Sequence, residues 1–151
     1  MEARIENREP EMTQDAAKAQ PKILDMLIVG QGFGGMYMLH RARSTGLKVQ
    51  AIEAGDDVGG VWYWNRYPGA RCDVMSIDYC YSFSDEIMQE WTWSEQFAAQ
   101  PEILAYASYV ADKLDLRRDV QFKTRATAIT YDDQRVLWTV RTDRGETFEV
   151  P

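Results

Sequence analysis

Leu24-Asp25-Met26-Leu27-Ile28-Val29 runs straight into Gly30-Gln31-Gly32-Phe33-Gly34-Gly35, and the reading of these residues decides the fold. Leu24, Met26, Leu27, Ile28 and Val29 make a short, nearly continuous apolar run, the pattern of a strand buried on both faces. A helix is expected at once. Met36, Leu39 and Ala42, with the longer side chains of Tyr37 and Met38, give it an apolar side, and Gly46 supplies a stop past its last turn. Lys48 to Glu53 reads as a second strand that ends on an acid.

Strand, glycine turn, helix, strand and acid, in that order, make a βαβ unit with a dinucleotide fingerprint. Gly30 permits the tight turn, Gly32 lets the backbone approach a pyrophosphate, and Gly35 lets the helix pack close to the strand. Free N–H groups and the positive end of the helix dipole then face the phosphates. Glu53 lies 23 residues after Gly30, where a carboxylate accepts hydrogen bonds from a ribose 2′-hydroxyl. A 2′-phosphate there would meet like charge, so this site is expected to take FAD or NAD and not NADP.

The 151 residues suffice for one domain with a core and are too few for two nucleotide domains plus a substrate domain. A net charge of −7 argues against nucleic acid or an anionic membrane as the main partner, because both need a basic face. No apolar run reaches membrane-spanning length, and the N-terminus has no signal-like apolar stretch. Cys72 and Cys80 lack metal-ligand spacing and there is a single histidine, His40, which reads as a surface residue. No metal is expected. Two free thiols fit a reducing compartment, so a cytoplasmic setting is expected.

Residues 1–22 carry five acids and four bases with few large apolar groups, and read as a mobile arm before a domain spanning 23–151. After Glu53, residues 54–73 have no helix or strand period and are rich in glycine and aromatics, as functional loops are. Gly59-Gly60 lets the backbone pass close to a ligand, and Trp62, Trp64 and Tyr67 can wall a flat ring system. Arg66, Arg71 and Asp73 add charge beside those rings. Ile77 to Phe83 is read as a short strand or extended loop, and Ser94 to Gln100 as a turn of helix with Trp91 and Trp93 packed inward. Pro101 opens a helix whose stripe is Ile103, Leu104, Ala107, Val110, Ala111 and Leu114. Val120 to Tyr131 has strand composition, and Val136 to Thr142 and Thr147 to Val150 flank the hairpin turn Asp143-Arg144-Gly145-Glu146.

Gly30 to Gly35, Glu53 and the loop Gly59-Gly60-Val61-Trp62-Tyr63-Trp64-Asn65-Arg66-Tyr67-Pro68-Gly69-Ala70-Arg71-Cys72-Asp73 together resemble the N-terminal FAD region of type I Baeyer–Villiger monooxygenases. The resemblance extends over residues 23–150. It implies an α/β, Rossmann-like FAD-binding domain with a parallel sheet and an attached β-meander, incomplete at its C-terminus. It implies that Gly30, Gly32, Phe33, Gly34 and Gly35 cradle the FAD pyrophosphate and that Glu53 binds the adenosine ribose. Gly60, Val61, Trp62, Tyr63 and Trp64 would line the flavin, Tyr79 would contact it, and the Ala126 backbone would meet the adenine. Arg71, Cys72 and Asp73 resemble the segment near bound NADPH, with Asp73 in the catalytic set as the partner of an arginine supplied elsewhere. Met75 departs from the glutamate of many relatives, and Ala126 from a common valine.

The activity implied is NADPH- and O2-dependent conversion of a small ketone to an ester or lactone. The sequence holds no second G-x-G-x-x-G and no counterpart of the late arginine, so the chain is expected to be inactive alone and to need the remaining part, which a separate chain could supply. Two other readings stand beside it: a non-catalytic nucleotide-binding or interaction module, and part of an N-hydroxylating flavin monooxygenase.

Overall fold

Residues 22–29 are extended, as their apolar character requires, but the chain divides them between two sheets. In the computed structural model, which describes residues 20–151, Lys22–Ile23 (β1) and Met26–Val29 (β2) are separate strands. The expected arm therefore lies outside the described residues except at its end, and Lys22 is already in a strand. Phe33–Arg43 (α1) follows the glycines and buries Met36, Leu39 and Ala42. Met38 faces outward, whereas Tyr37, partly exposed, lays its ring on Tyr81 and Phe83. Val49–Ile52 (β3) pairs in parallel with β2, Met26 opposite Val49 and Val29 opposite Ile52.

The next elements are short, and sequence pattern reads them poorly. Val61–Trp64 (α2) is one helical turn inside the segment expected to be irregular. Ser76–Tyr79 is a 3-10 turn where a strand or extended loop was expected. Asp85–Glu90 (α3) is a helix whose Ser84 side chain accepts from the Ile87 N–H, with Asp85 and Glu86 in its first turn. Gln100–Lys113 (α4) carries proline in its first turn and buries Ile103, Tyr106, Ala107, Val110 and Ala111.

Residues 120–131 form two strands, not one. Val120–Gln121 (β4) adds to β3 in parallel, completing the order β2-β3-β4. Lys123, at φ 52°, then turns the chain out of that sheet. Ala126–Asp132 (β5), Leu137–Thr142 (β6) and Thr147–Val150 (β7) form the antiparallel meander, which β1 joins beside β7. The β6–β7 turn matches the expectation, with Gly145 at φ 76°.

Four apolar clusters hold these pieces, and two of them involve the parallel sheet. Met36, Leu39, Ala51, Ala107, Ala111 and Leu116 pack α1 and α4 against the parallel sheet. Leu24, Ile52, Val140 and Phe148 join the parallel sheet to the meander. Each fully buried Leu, Ile or Phe stabilises by about 1.5–3 kcal/mol.

One face departs from the expectation of a strand buried on both sides. Val29 is 49% exposed, and with Leu27, Ile129, Trp138, Val140 and Val150 it lines an apolar trough of about 350 Å³ between the sheets. Among the described residues β2 is hydrogen-bonded to β3 alone, which leaves its other edge free there. An apolar trough beside a free strand edge promotes self-association. Val29→Lys with Trp138→Lys is expected to weaken that association about tenfold, the equivalent of ~1.4 kcal/mol, in sedimentation velocity. Equal association of the two proteins would exclude the trough as the contact.

Candidate nucleotide-binding site

The site begins where β2 ends. The Gly30 N–H donates to the Ile52 carbonyl at 2.8 Å, and φ of 94° at Gly30 turns the chain toward α1. Gly35 comes so close under the turn that a Cβ there would lie 2.0 Å from the Gly30 carbonyl oxygen. Gly32 caps α1 without a side chain, and no acid occupies the helix's first turn. The first N–H groups therefore lack intrahelical acceptors at the positive end of the dipole. Gly34 has open space on its Cβ side and is exposed.

Glu53 lies beneath this turn, 5% exposed. Its Oε2 accepts from the Gln31 N–H at 2.6 Å and its Oε1 from the Gly55 N–H at 2.7 Å. The acid is thus an anchor for two backbone segments as well as a candidate ribose ligand, and an ionised carboxylate keeps further lone pairs for hydroxyl donors. Gln31 was not singled out in the sequence. It is fully buried; its carbonyl accepts from the Gly59 N–H at 2.9 Å and its Nε2 donates to the Gly30 carbonyl at 2.8 Å. Its Oε1 has no partner among the described residues. The only sequence signal was a polar amide in a variable position of the glycine motif.

Residues 123–126 are drawn alongside. The Lys123 N–H donates to the Gly55 carbonyl and the Thr124 N–H to the Glu53 carbonyl, both at 2.8 Å, which places Ala126 at the start of β5 near the acid.

The second glycine pair meets the first. A Cβ on Gly60 would lie 2.7 Å from Gly32 Cα, and Gly60 holds φ of 55°. α2 starts from this contact and brings Trp62 edge-on to Tyr79 at 5.6 Å. Gln100 Nε2 donates to the Trp62 carbonyl at 2.5 Å. Burial is the main cause of a raised phenol pKa at Tyr79. Tyr63 packs on Gly55, donates to the Asp56 carboxylate and carries Arg66 over its ring at 4.8 Å.

The expected aromatic wall is uneven: Trp62 and Tyr63 are half-buried, whereas Val61, Trp64 and Tyr67 are more than half exposed. Arg71 pairs with Glu95 at 2.5 Å and is not packed against the rings. Cys72 is buried against Ala98 and Ile103, and Asp73 is exposed. Both cysteines are free. His40 is half-buried and stacked on Phe83 at 4.8 Å, not a plain surface residue; burial and then Arg41 and Arg43 lower its pKa.

A helix start without a side-chain cap, two glycine turns in backbone contact and a buried carboxylate beside the 123–126 segment fit the diphosphate, ribose and base of a dinucleotide. Residues 28–87 match the NAD(P)-binding Rossmann-like domain family. A Baeyer–Villiger monooxygenase of Pseudooceanicola batsensis is 46% identical over 124 residues, 82% of this chain and 23% of the relative. The chain is a homologue of the Baeyer–Villiger monooxygenases. Among solved structures, an oxidised steroid monooxygenase bound to NADP superposes with a TM-score of 0.82 at 60% identity, covering 85% of this chain and 25% of that one. A phenazine N-monooxygenase of Lysobacter antibioticus is 44% identical over 125 residues, 82% of this chain and 23% of the relative. The chain spans about a quarter of the length of these Baeyer–Villiger relatives and their kin.

Proposed function

We propose that the chain is the FAD-binding portion of an NADPH- and O2-using monooxygenase that converts a small ketone to an ester or lactone. The observation that carries this is the start of α1 in contact with the Gly59-Gly60 turn above the buried Glu53. On this reading the amides after Gly32 hold the FAD diphosphate, and Glu53 takes the ribose hydroxyls on its remaining lone pairs. The Ala126 backbone meets the adenine. Val61, Trp62, Tyr63, Trp64 and Tyr79 face the flavin, with Trp62 and Tyr79 held by packing, Tyr63 tied to Asp56, and exposed Val61 and Trp64 free to adjust. FAD, when bound, supplies the redox and oxygen-activating chemistry.

Arg71, Cys72 and Asp73 form the edge toward NADPH, with Asp73 exposed to pair with an arginine from polypeptide outside this sequence or from a separate chain. The likeness to the phenazine N-monooxygenase keeps oxygenation at a substrate nitrogen as the second reading. A cytoplasmic setting is supported by the two free thiols.

The test is flavin retention after incubation of the chain with FAD and removal of free ligand, read by absorbance. Gly34→Asp is the informative variant. It fills open space and puts an acid in the first turn, which favours the helix, yet it sets a negative charge against the diphosphate. Retention is expected to fall at least about a hundredfold with the thermal midpoint maintained or raised. Equal retention would remove α1 from the phosphate site.

A further inference from the structure

Aromatic side chains link the flavin side of the site to the far surface in near-contact steps. Trp62 meets Tyr79 at 5.6 Å. Next to Tyr79, Cys80 Sγ accepts from Trp93 Nε1 at 3.1 Å, and the Phe33 ring also bridges Tyr79 at 5.5 Å toward the same cluster. Trp93 meets Trp91 at 5.8 Å, and Trp91 meets Tyr109 at 5.4 Å. The last ring differs from the others in its proton partner: the Tyr109 hydroxyl donates to Glu90 Oε2 at 2.7 Å. Half-buried Tyr81 instead donates to the Phe33 backbone carbonyl, which cannot hold a proton.

Indoles and phenols are, with thiols, the side chains most easily oxidised by one electron. Tunnelling falls steeply with distance, so a string of near-contact rings carries a charge over a span that one jump cannot cover. Packing alone needs no carboxylate on the phenol that ends such a string.

We propose that this path carries oxidising equivalents from the flavin position to Tyr109, where a solution thiol quenches them; the proposal rests on Trp62 and Tyr79 facing the flavin. A one-electron oxidant of the flavin–oxygen class removes an electron from Trp62, and electrons then shift ring by ring toward it. Among the described residues Trp91 Nε1 is buried without a hydrogen-bond partner, so an oxidised Trp91 has no acceptor there for its proton and draws an electron from Tyr109. Tyr109 passes its phenolic proton to Glu90 and becomes a neutral phenoxyl radical. A thiol then gives that radical one electron, Glu90 returns the proton, the thiol proton goes to water, and a thiyl radical remains. The oxidant is reduced by one electron and the thiol oxidised by one.

The first test needs no flavin. Two Trp–Tyr pairs outside the path, Tyr63 with Trp64 at 4.8 Å and Tyr131 with Trp138 at 4.9 Å, are silenced by Trp64→Phe and Trp138→Phe. Azide radical, generated by pulse radiolysis, oxidises the remaining indoles of the full chain. The indolyl signal is expected to convert to phenoxyl in a step independent of protein concentration, and Tyr109→Phe to remove most of the phenoxyl yield with an unchanged circular dichroism spectrum. An unchanged yield in Tyr109→Phe would overturn the proposal; so would an unchanged rate after Trp91→Phe with Trp93→Phe. If that double variant does not fold, Tyr109→Phe decides alone.

The second arm fixes direction. With FAD bound, illumination makes the flavin a one-electron oxidant, and a spin-trap adduct mapped by mass spectrometry is expected at Tyr109. Adducts confined to Trp62 or Tyr79 would refute transfer outward. Failure to retain flavin would sink the site reading and with it the direction, while the first arm still decides whether the path conducts.

Discussion

Gly35→Ala is expected to cost at least about 3 kcal/mol of folding stability, a large share of the 5–15 kcal/mol that holds a domain of this size together. The added methyl would lie 2.0 Å from the Gly30 carbonyl oxygen and 3.2 Å from Gln31 Nε2. The backbone wall cannot yield cheaply, and the Gln31 amide is tied to that same Gly30 carbonyl. The Gly30 N–H is bonded to the Ile52 carbonyl, and the Met36 N–H to the Gly32 carbonyl, so moving the turn breaks the strand junction or the helix start. Gly34→Ala is the matched control, because nothing lies within 4 Å of its Cβ position. Alanine there is expected to stabilise by about 0.5–1 kcal/mol through reduced backbone entropy. Urea unfolding followed by circular dichroism compares the two. A Gly35→Ala midpoint equal to that of the native chain would mean that helix and strand are not in this contact.

That contrast shows what the sequence disclosed. Gly30, Gly35, Met36, Leu39 and Ala42 were legible because their meaning is local: a tight turn, a close approach and a helical repeat lie within a dozen residues. The β6–β7 turn was legible for the same reason. Glu53 and Gln31 were harder, because their hydrogen bonds close a gap of 22 residues that no local pattern displays. α2 escaped notice since four residues cannot show a helical period. The break after Gln121 escaped because Lys123, and not Gly or Pro, takes the positive φ. α3 was readable from Ser84, Asp85 and Glu86 as an N-cap and an acidic first turn, but six residues are too few to show a helical period, and this segment was assigned no element. Val29 looked buried because its neighbours in sequence are apolar, whereas its exposure depends on what pairs with the free edge of β2.

Glu53 gives the second large effect, and it acts on fold and ligand together. Glu53→Ala leaves the Gln31 and Gly55 N–H groups without acceptors in a site where Glu53 is only 5% exposed. Each buried donor so stranded costs about 1–3 kcal/mol, for an expected loss of roughly 2–6 kcal/mol from the two. Glu53→Gln is no gentle substitute. One amide oxygen satisfies one N–H, and the amide nitrogen then confronts the other, donor against donor. Both variants are expected to lower the urea midpoint and to lose FAD, whereas Gly34→Asp loses FAD and keeps its midpoint. Loss of flavin in a Glu53 variant therefore reports on the ribose contact only after the folded fraction is measured in the same sample. A Glu53→Ala chain with an unchanged midpoint and no flavin would make the acid purely a ligand, and the two backbone hydrogen bonds incidental. An unstable variant that still saturates with FAD would leave the acid a structural clasp and move ribose recognition to other groups.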